Sequence, residues 1–115
     1  MAAVSSLSDG STITVDFASG IHHSVTLGGN RTLGNPANTS STVGQCGSIF
    51  ITQDGTGSRT LSYHSDFKFV GGTAPTLSTA ANAVDRLDYV IMTQDILIEL
   101  QALLQVSTNL HLVFG

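Results

Sequence analysis

The strongest constraint in this chain is a two-residue hydrophobic alternation that recurs along it, cut into short lengths by glycine, asparagine, aspartate and proline. STITVDF, residues 11–17, sets Ile13, Val15 and Phe17 on one side and Thr12, Thr14 and Asp16 on the other. IHHSVTL, residues 21–27, alternates through Ile21, His23, Val25 and Leu27. Successive side chains of a strand point to opposite faces, so each run buries one face and leaves the other wet. GSIFITQ (47–53), SRTLSYH (58–64), DFKF (66–69) and RLDYVIM (86–92) extend the series.

The breaks between runs are turn signals. Gly28-Gly29-Asn30 and DGTG at 54–57 read as hairpin turns, because Gly55 and Gly57 tolerate positive φ. Residues 11–33 then read as a meander, and 58–64 as a strand pairing back on 47–53. Pro36 forbids a central strand between residues 34 and 48. ILIELQALLQV, 96–106, fits a strand through Ile96, Ile98, Leu100, Ala102, Leu104 and Val106. It also fits a helix capped by Asp95; the strand-rich surroundings favour the strand. LHLVF, 110–114, reads as a last strand. The small, polar residues 1–10 read as an arm. GNRTL at 29–33 returns as GSRTL at 57–61. Two copies suggest two similar hairpins, whereas a repeat protein needs at least three. The expected class is all-β: an antiparallel β-sandwich or jelly-roll-like single domain of seven or eight strands over residues 11–115, preceded by the arm.

Composition narrows the function. Only 10% of the 115 residues are charged, against roughly 25% in an average domain. Ser and Thr fill the gap with about a quarter of the chain. The net charge is −4, and Arg31, Arg59, Lys68 and Arg86 form no run. A nucleic-acid binder needs clustered basic residues, so nucleic acid is not expected as a partner. A surface so poor in charge favours one covered by partners. Cys46 is the sole cysteine; it reads as a small buried apolar residue, and a Cys-rich metal site is excluded. No signal peptide or bilayer-length apolar segment is visible, so neither secretion nor membrane insertion is expected.

Catalytic chemistry is sparse. His22 and His23 are adjacent and point to opposite faces of a strand. His23 could meet His64 or His111 across a sheet, but a metal needs a third matched ligand. Asp85 and Asp88 lie three apart, and Asp54 and Asp95 each follow a Gln. Turn aspartates usually bond their own backbone rather than serve as acid–base pairs. GTGSR at 55–59 lacks the Lys and the following helix of a phosphate loop, and no GxSxG string occurs. No enzyme, metal or cofactor is expected.

The central segment is more specific. GNRTLGNPAN, and then GQCGSIFITQDGTGSRTLSYHSDFKFVGGTAPTLSTAANAVDRLDYVI, resembles a module of phage virion proteins. The resemblance covers residues 14–91. It extends to tail-fibre chains and small capsid-associated proteins. It implies a β-sandwich-like structural protein with no catalytic residues. Asn30, Arg31, Asn35 and Pro36 would then set the turn and exit of the second hairpin. Gln53 and Asp54, with Gly55 and Gly57, would start a tight turn to Arg59. Gly71, Gly72 and Pro75 would shape a long crossing loop, and Asn82 and Asp85 a turn into the next strand.

This resemblance supports an expected role as a capsid decoration or cement protein. Such a protein is made in the host cytoplasm, sits on the virion capsid surface and bridges capsomers. Its partners would be the major capsid protein and other copies of itself, as a homotrimer. Contacts are expected at Val4 and Leu7 in the arm, and at Leu97, Leu103, Leu110, Leu112 and Phe114 in the apolar C-terminal segment. The alternative is a tail-fibre or receptor-binding protein presenting loops to a host glycan. Tyr63, Phe67, Phe69 and Tyr89 are then the candidates for stacking on sugars.

Overall fold

A computed structural model describes residues 3–101. The described chain is built from β1 (Val4–Ser6), β2 (Thr12–Ile13), β3 (His22–Leu27), β4 (Arg31–Leu33), β5 (Cys46–Gln53), β6 (Leu61–Tyr63), β7 (Phe67–Phe69), β8 (Val84–Ile91) and β9 (Ile96–Gln101). A single 3-10 turn, Val70–Gly72, interrupts them. The strands form one sheet of six, in the order β1-β3-β5-β8-β9-β7, and one of three, β2-β4-β6. The all-β, two-sheet architecture is the one that the alternating runs demand.

The connections differ from those of an antiparallel sandwich. β1, β3 and β5 pair in parallel, and so do β2, β4 and β6. The chain therefore winds three times, each turn laying one strand in the larger sheet and the next in the smaller. A further parallel bridge joins Asp16 to Ala37 between the first two turns. β8 then runs antiparallel to β5, β9 antiparallel to β8, and β7 parallel to β9. Three stacked turns are present, although only two sequence echoes mark them.

Two expectations are corrected here. Gly28-Gly29-Asn30 and residues 54–57 are not hairpin turns but corners between sheets, because β3 and β4, like β5 and β6, lie in different sheets. Residues 58–64 do not pair back on 47–53. They supply β6, which pairs with β4. In the echo the register is offset by one strand period: Arg31 faces Leu61 and Leu33 faces Tyr63. A shift of two residues keeps the same face inward, so the pattern survives the slip. Within residues 1–10, Val4–Ser6 form the edge strand β1, and Leu7 donates its N–H to Ser24 O at 2.8 Å. Residues 96–101 are strand; the expected strand at 110–114 and the rest of 96–106 lie outside the described residues.

One apolar cluster lies between the sheets. Ile13, Val15 and Phe17 from the first turn meet Val25, Leu27 and Leu33 from the second. Ile49 and Ile51, then Phe67, Leu87, Tyr89, Ile91, Ile96 and Ile98, complete it. Each such side chain contributes about 1.5–3 kcal/mol by leaving water. The alternation read from sequence thus identifies nearly all of the core.

Candidate interaction surfaces

The corners between the sheets stack one under the next, and polar side chains fasten them. At the first corner, Asp9 receives both Nε and Nη2 of Arg31, at 2.9 and 3.0 Å, and the Gly28 N–H at 3.3 Å. A Cβ on Gly29 would stand 2.8 Å from the Arg31 guanidinium. The Gly-Gly pair supplies room for the ion pair, and neither residue has a positive φ. At the next corner Asn30 Oδ1 accepts the Thr60 N–H at 3.0 Å, and Thr60 O accepts the Arg31 N–H at 2.9 Å.

The third corner contains the QDGTGSR string. Asp54 Oδ1 accepts the N–H groups of Thr56 and Gly57, each at 3.0 Å, and its carboxylate takes Arg59 in two-point contact at 3.2 and 2.9 Å. The Arg59 bond, followed by that backbone bond from Gly57, holds the Asp54 carboxyl down at about 2. Arg31 likewise lowers Asp9. Gly57 has φ +74°, and a Cβ there would reach Thr79 O at 2.6 Å. Gly55 has open space and no positive φ.

Gln53, 1% exposed, ties this corner to the loop that leads into β8. Its amide donates to Arg59 O at 2.9 Å and Ser78 O at 3.0 Å, while Oε1 accepts the Arg59 N–H at 2.9 Å. Asp85 accepts Ser78 N–H and Oγ at 2.7 and 2.9 Å. Asn82 takes φ +63°, and its N–H meets Asp54 O at 3.0 Å. Asn tolerates this left-handed backbone better than most residues. Gly71 and Gly72, at φ +79° and +81°, make the 3-10 turn after β7. Pro36 is buried beside Ala37, whose N–H donates to Val15 O at 2.9 Å. Most of the turn residues are thus brought into one clasp across the corners, while Gly71 and Gly72 stand apart from it at the β7 exit.

A second polar cluster pins the other side. Gln45 Nε2 reaches Phe17 O, Gly20 O and Tyr89 Oη at 2.9, 3.2 and 3.0 Å, and Tyr89 Oη donates to Ile21 O at 2.7 Å. His23 is fully buried, with Nε2 3.0 Å from Gly20 O. A carbonyl only accepts, so Nε2 carries the proton and Nδ1 is bare; Nδ1 is buried with no partner. Burial lowers the His23 pKa. Tyr63 packs edge-on against Phe67 and Phe69, and burial pushes its hydroxyl up to about 12.

These contacts decide what the surface offers. Phe67 and Tyr89 are in the core, and Tyr63 and Phe69 pack against it, so the four aromatics considered for sugar stacking face inward. Cys46, expected to be buried, is exposed, because it begins β5 on the outer face opposite Val90. Val4 is 51% exposed on the β1 edge, Leu7 packs on the core, and Leu97 is half-buried on the outer sheet face. Leu103, Leu110, Leu112 and Phe114 lie outside the described residues. Among the described residues no three His, Cys, Asp or Glu side chains converge as metal ligands, and no helix is long and apolar enough to cross a membrane. Ser48 Oγ donates to Asp88 at 2.8 Å, while His22 Nδ1 accepts the Ser48 backbone N–H at 3.2 Å. That histidine does not hold the hydroxyl as a general base would. The surface also carries shallow concavities. A groove of about 340 Å³ on the first turn is lined by Leu7 and by the polar residues Ser5, Ser6, Ser8, Thr12, Thr14, Asp16 and Ser19. A smaller one, about 240 Å³, lies on the outer sheet face between Val70, Val90, Leu97, Asp88 and Glu99.

Residues 12–95, from β2 to the residue before β9, match the family model described as "Putative phage tail fibre C-terminal domain". The chain belongs to this family. It is a structural module of the phage virion. Comparison with curated proteins and with solved structures gave no match. The matched span of this tail-fibre-family domain contains the Asn30–Thr60, Asp54–Arg59 and Gln53–Ser78 clasps. Asp9, Gln45 and Ser78 are contact residues that the sequence reading passed over. Their partners lie between 7 and 44 residues away, and no local pattern marks them.

Proposed function

We propose that this domain is a non-enzymatic component of a phage tail fibre and presents its surface to the host cell. The family match over residues 12–95 carries this reading. The capsid-cement expectation draws support from no particular surface of the molecule, whereas the family description names the fibre. The domain works by contact alone: a rigid wound core holds polar corners and grooves in place, and weak contacts multiply over many copies.

The host-facing element is the groove on the first turn. Its wall of serine and threonine hydroxyls and the Asp16 carboxylate suits a saccharide, which is read by hydrogen bonds to its hydroxyls. Asp16 is held in place by Asn38 Nδ2 at 2.7 Å and the Ala18 N–H at 3.0 Å, and the Asn38 bond lowers its pKa. It therefore enters the contact as a fixed anion and acceptor.

Adsorption competition tests this reading. Purified domain added to host cells before phage should slow adsorption in a dose-dependent way. Thr14→Lys, which fills the groove, should abolish the competition, and Thr26→Lys on the outer sheet face should preserve it. Unchanged adsorption at saturating domain would overturn the host-contact role.

A further inference from the structure

The outer face of the six-stranded sheet carries two charges that have no ion pair among the described residues. Arg31, Arg59 and Arg86 are paired to Asp9, Asp54 and Asp88. Lys68 is the fourth cation, and among the described residues it has no ion pair. Glu99 on the neighbouring strand has none either. The pairing register places Val90, Leu97 and Lys68 in one row across β8, β9 and β7, with Asp88 and Glu99 in the next row. All five side chains point away from the core, since Ile91, Tyr89, Ile96, Ile98 and Phe67 of the same strands are buried. Val70, 55% exposed, and Val90, 38% exposed, flank the half-buried Leu97 in the shallow concavity there.

This arrangement leaves an unsatisfied anion next to an unsatisfied cation with apolar ground between them. Asp88 and Glu99 stand directly opposite each other on antiparallel strands, where like charges repel. Arg86 relieves Asp88 alone. Lys68 is one strand over from Leu97, and Glu99 is two residues along from it. With strands about 4.8 Å apart and a rise of about 3.3 Å per residue, the two Cα positions are separated by roughly 8 Å. A two-fold axis midway between them would set Lys68 of one copy on Glu99 of the other, and the reverse, with Leu97 and Val70 near the centre. We propose that this face is an isologous docking surface for a second copy of the chain, closed by two reciprocal Lys68–Glu99 pairs. A two-fold contact needs such a self-complementary patch, and this one has both signs at matched positions.

Charge reversal in the full chain tests it. The wild type should self-associate reversibly in sedimentation velocity over a concentration series reaching the millimolar range, more weakly at high salt. Lys68→Glu and Glu99→Lys should each lower the association constant by about tenfold or more. The double variant, Lys68→Glu with Glu99→Lys, should restore it, and the two single variants mixed should associate with each other. Matching far-ultraviolet circular dichroism and melting temperatures show that all four proteins are folded. A monomeric wild type, single variants that associate like the wild type, or a double variant that stays weak would each overturn the proposal.

Discussion

Replacing Gln53 by leucine keeps the volume of a fully buried side chain and removes all of its hydrogen bonds. Three backbone groups then lose a partner: the Arg59 N–H, the Arg59 carbonyl and the Ser78 carbonyl. An unsatisfied buried polar group costs about 1–3 kcal/mol, toward the lower end where water has some access, so the total is roughly 3–5 kcal/mol. That is a large share of the about 5–15 kcal/mol that holds a domain folded. At about 4–5 °C per kcal/mol for a domain of this size, Tm should fall by roughly 12–25 °C. Thermal and urea unfolding followed by circular dichroism measure this, with the urea midpoint falling at constant slope. Gln53→Glu adds a signature of its own. At neutral pH its carboxylate faces two carbonyl oxygens and should cost at least as much as leucine, and part of the loss should return as acid protonates it. A Q53L protein that melts within about 2 °C of wild type would refute the view that Gln53 clasps the third corner to the loop before β8.

His23 predicts acid sensitivity. Its folded pKa is depressed, so the unfolded chain binds the proton more tightly. The stabilisation is complete above about 6.5 and declines as pH falls through that value toward the lower folded pKa. His23→Gln should flatten the pH dependence of Tm between about pH 7 and 5, and an unchanged slope would exclude His23 as its source. Asp54 acts in a lower window. Its contribution is present above the ordinary carboxylate value of 3.8 and is lost as pH falls through about 2. Asp54→Asn should therefore lose stability at neutral pH and show a shallower acid transition. Gly57→Ala should destabilise by about 1–3 kcal/mol through its positive φ and the approach to Thr79 O, while Gly55→Ala should stay within about 0.5 kcal/mol of wild type. Equal melting of the two alanine variants would contradict that distinction.

Most of the core was legible because burial in a strand leaves a local trace. The alternation through Ile13, Val15 and Phe17, and again through Leu87, Tyr89 and Ile91, needs no knowledge of the partner strand. Pairing leaves no such trace. Gly28-Gly29-Asn30 carries the chemistry of a hairpin turn, yet here it makes room for Asp9 and Arg31 at a corner between sheets. Parallel pairing brings together residues such as His22 and Ser48, and which run pairs with which depends on the whole winding. The first turn of the winding was hidden for the same reason: Val4–Ser6 is short and has no strong alternation to announce it.

The contact residues divide in the same way. Asp54 was readable from its turn because the N–H groups it accepts from are two and three residues away. Gln45 was not, since its partners lie in two distant segments, the loop with Phe17 and Gly20 and the strand with Tyr89. The aromatics show the opposite failure. Tyr63, Phe67 and Phe69 form an edge-on cluster against the core, so their chemistry is spent on packing and is withheld from a ligand.

The central claim is that this domain belongs to the tail fibre. Immunogold electron microscopy of intact particles, with antibody raised against the purified domain, tests it most directly. Gold is expected along or at the tips of the fibres and none on the head. Label spread over the capsid shell, with bare fibres, would contradict it.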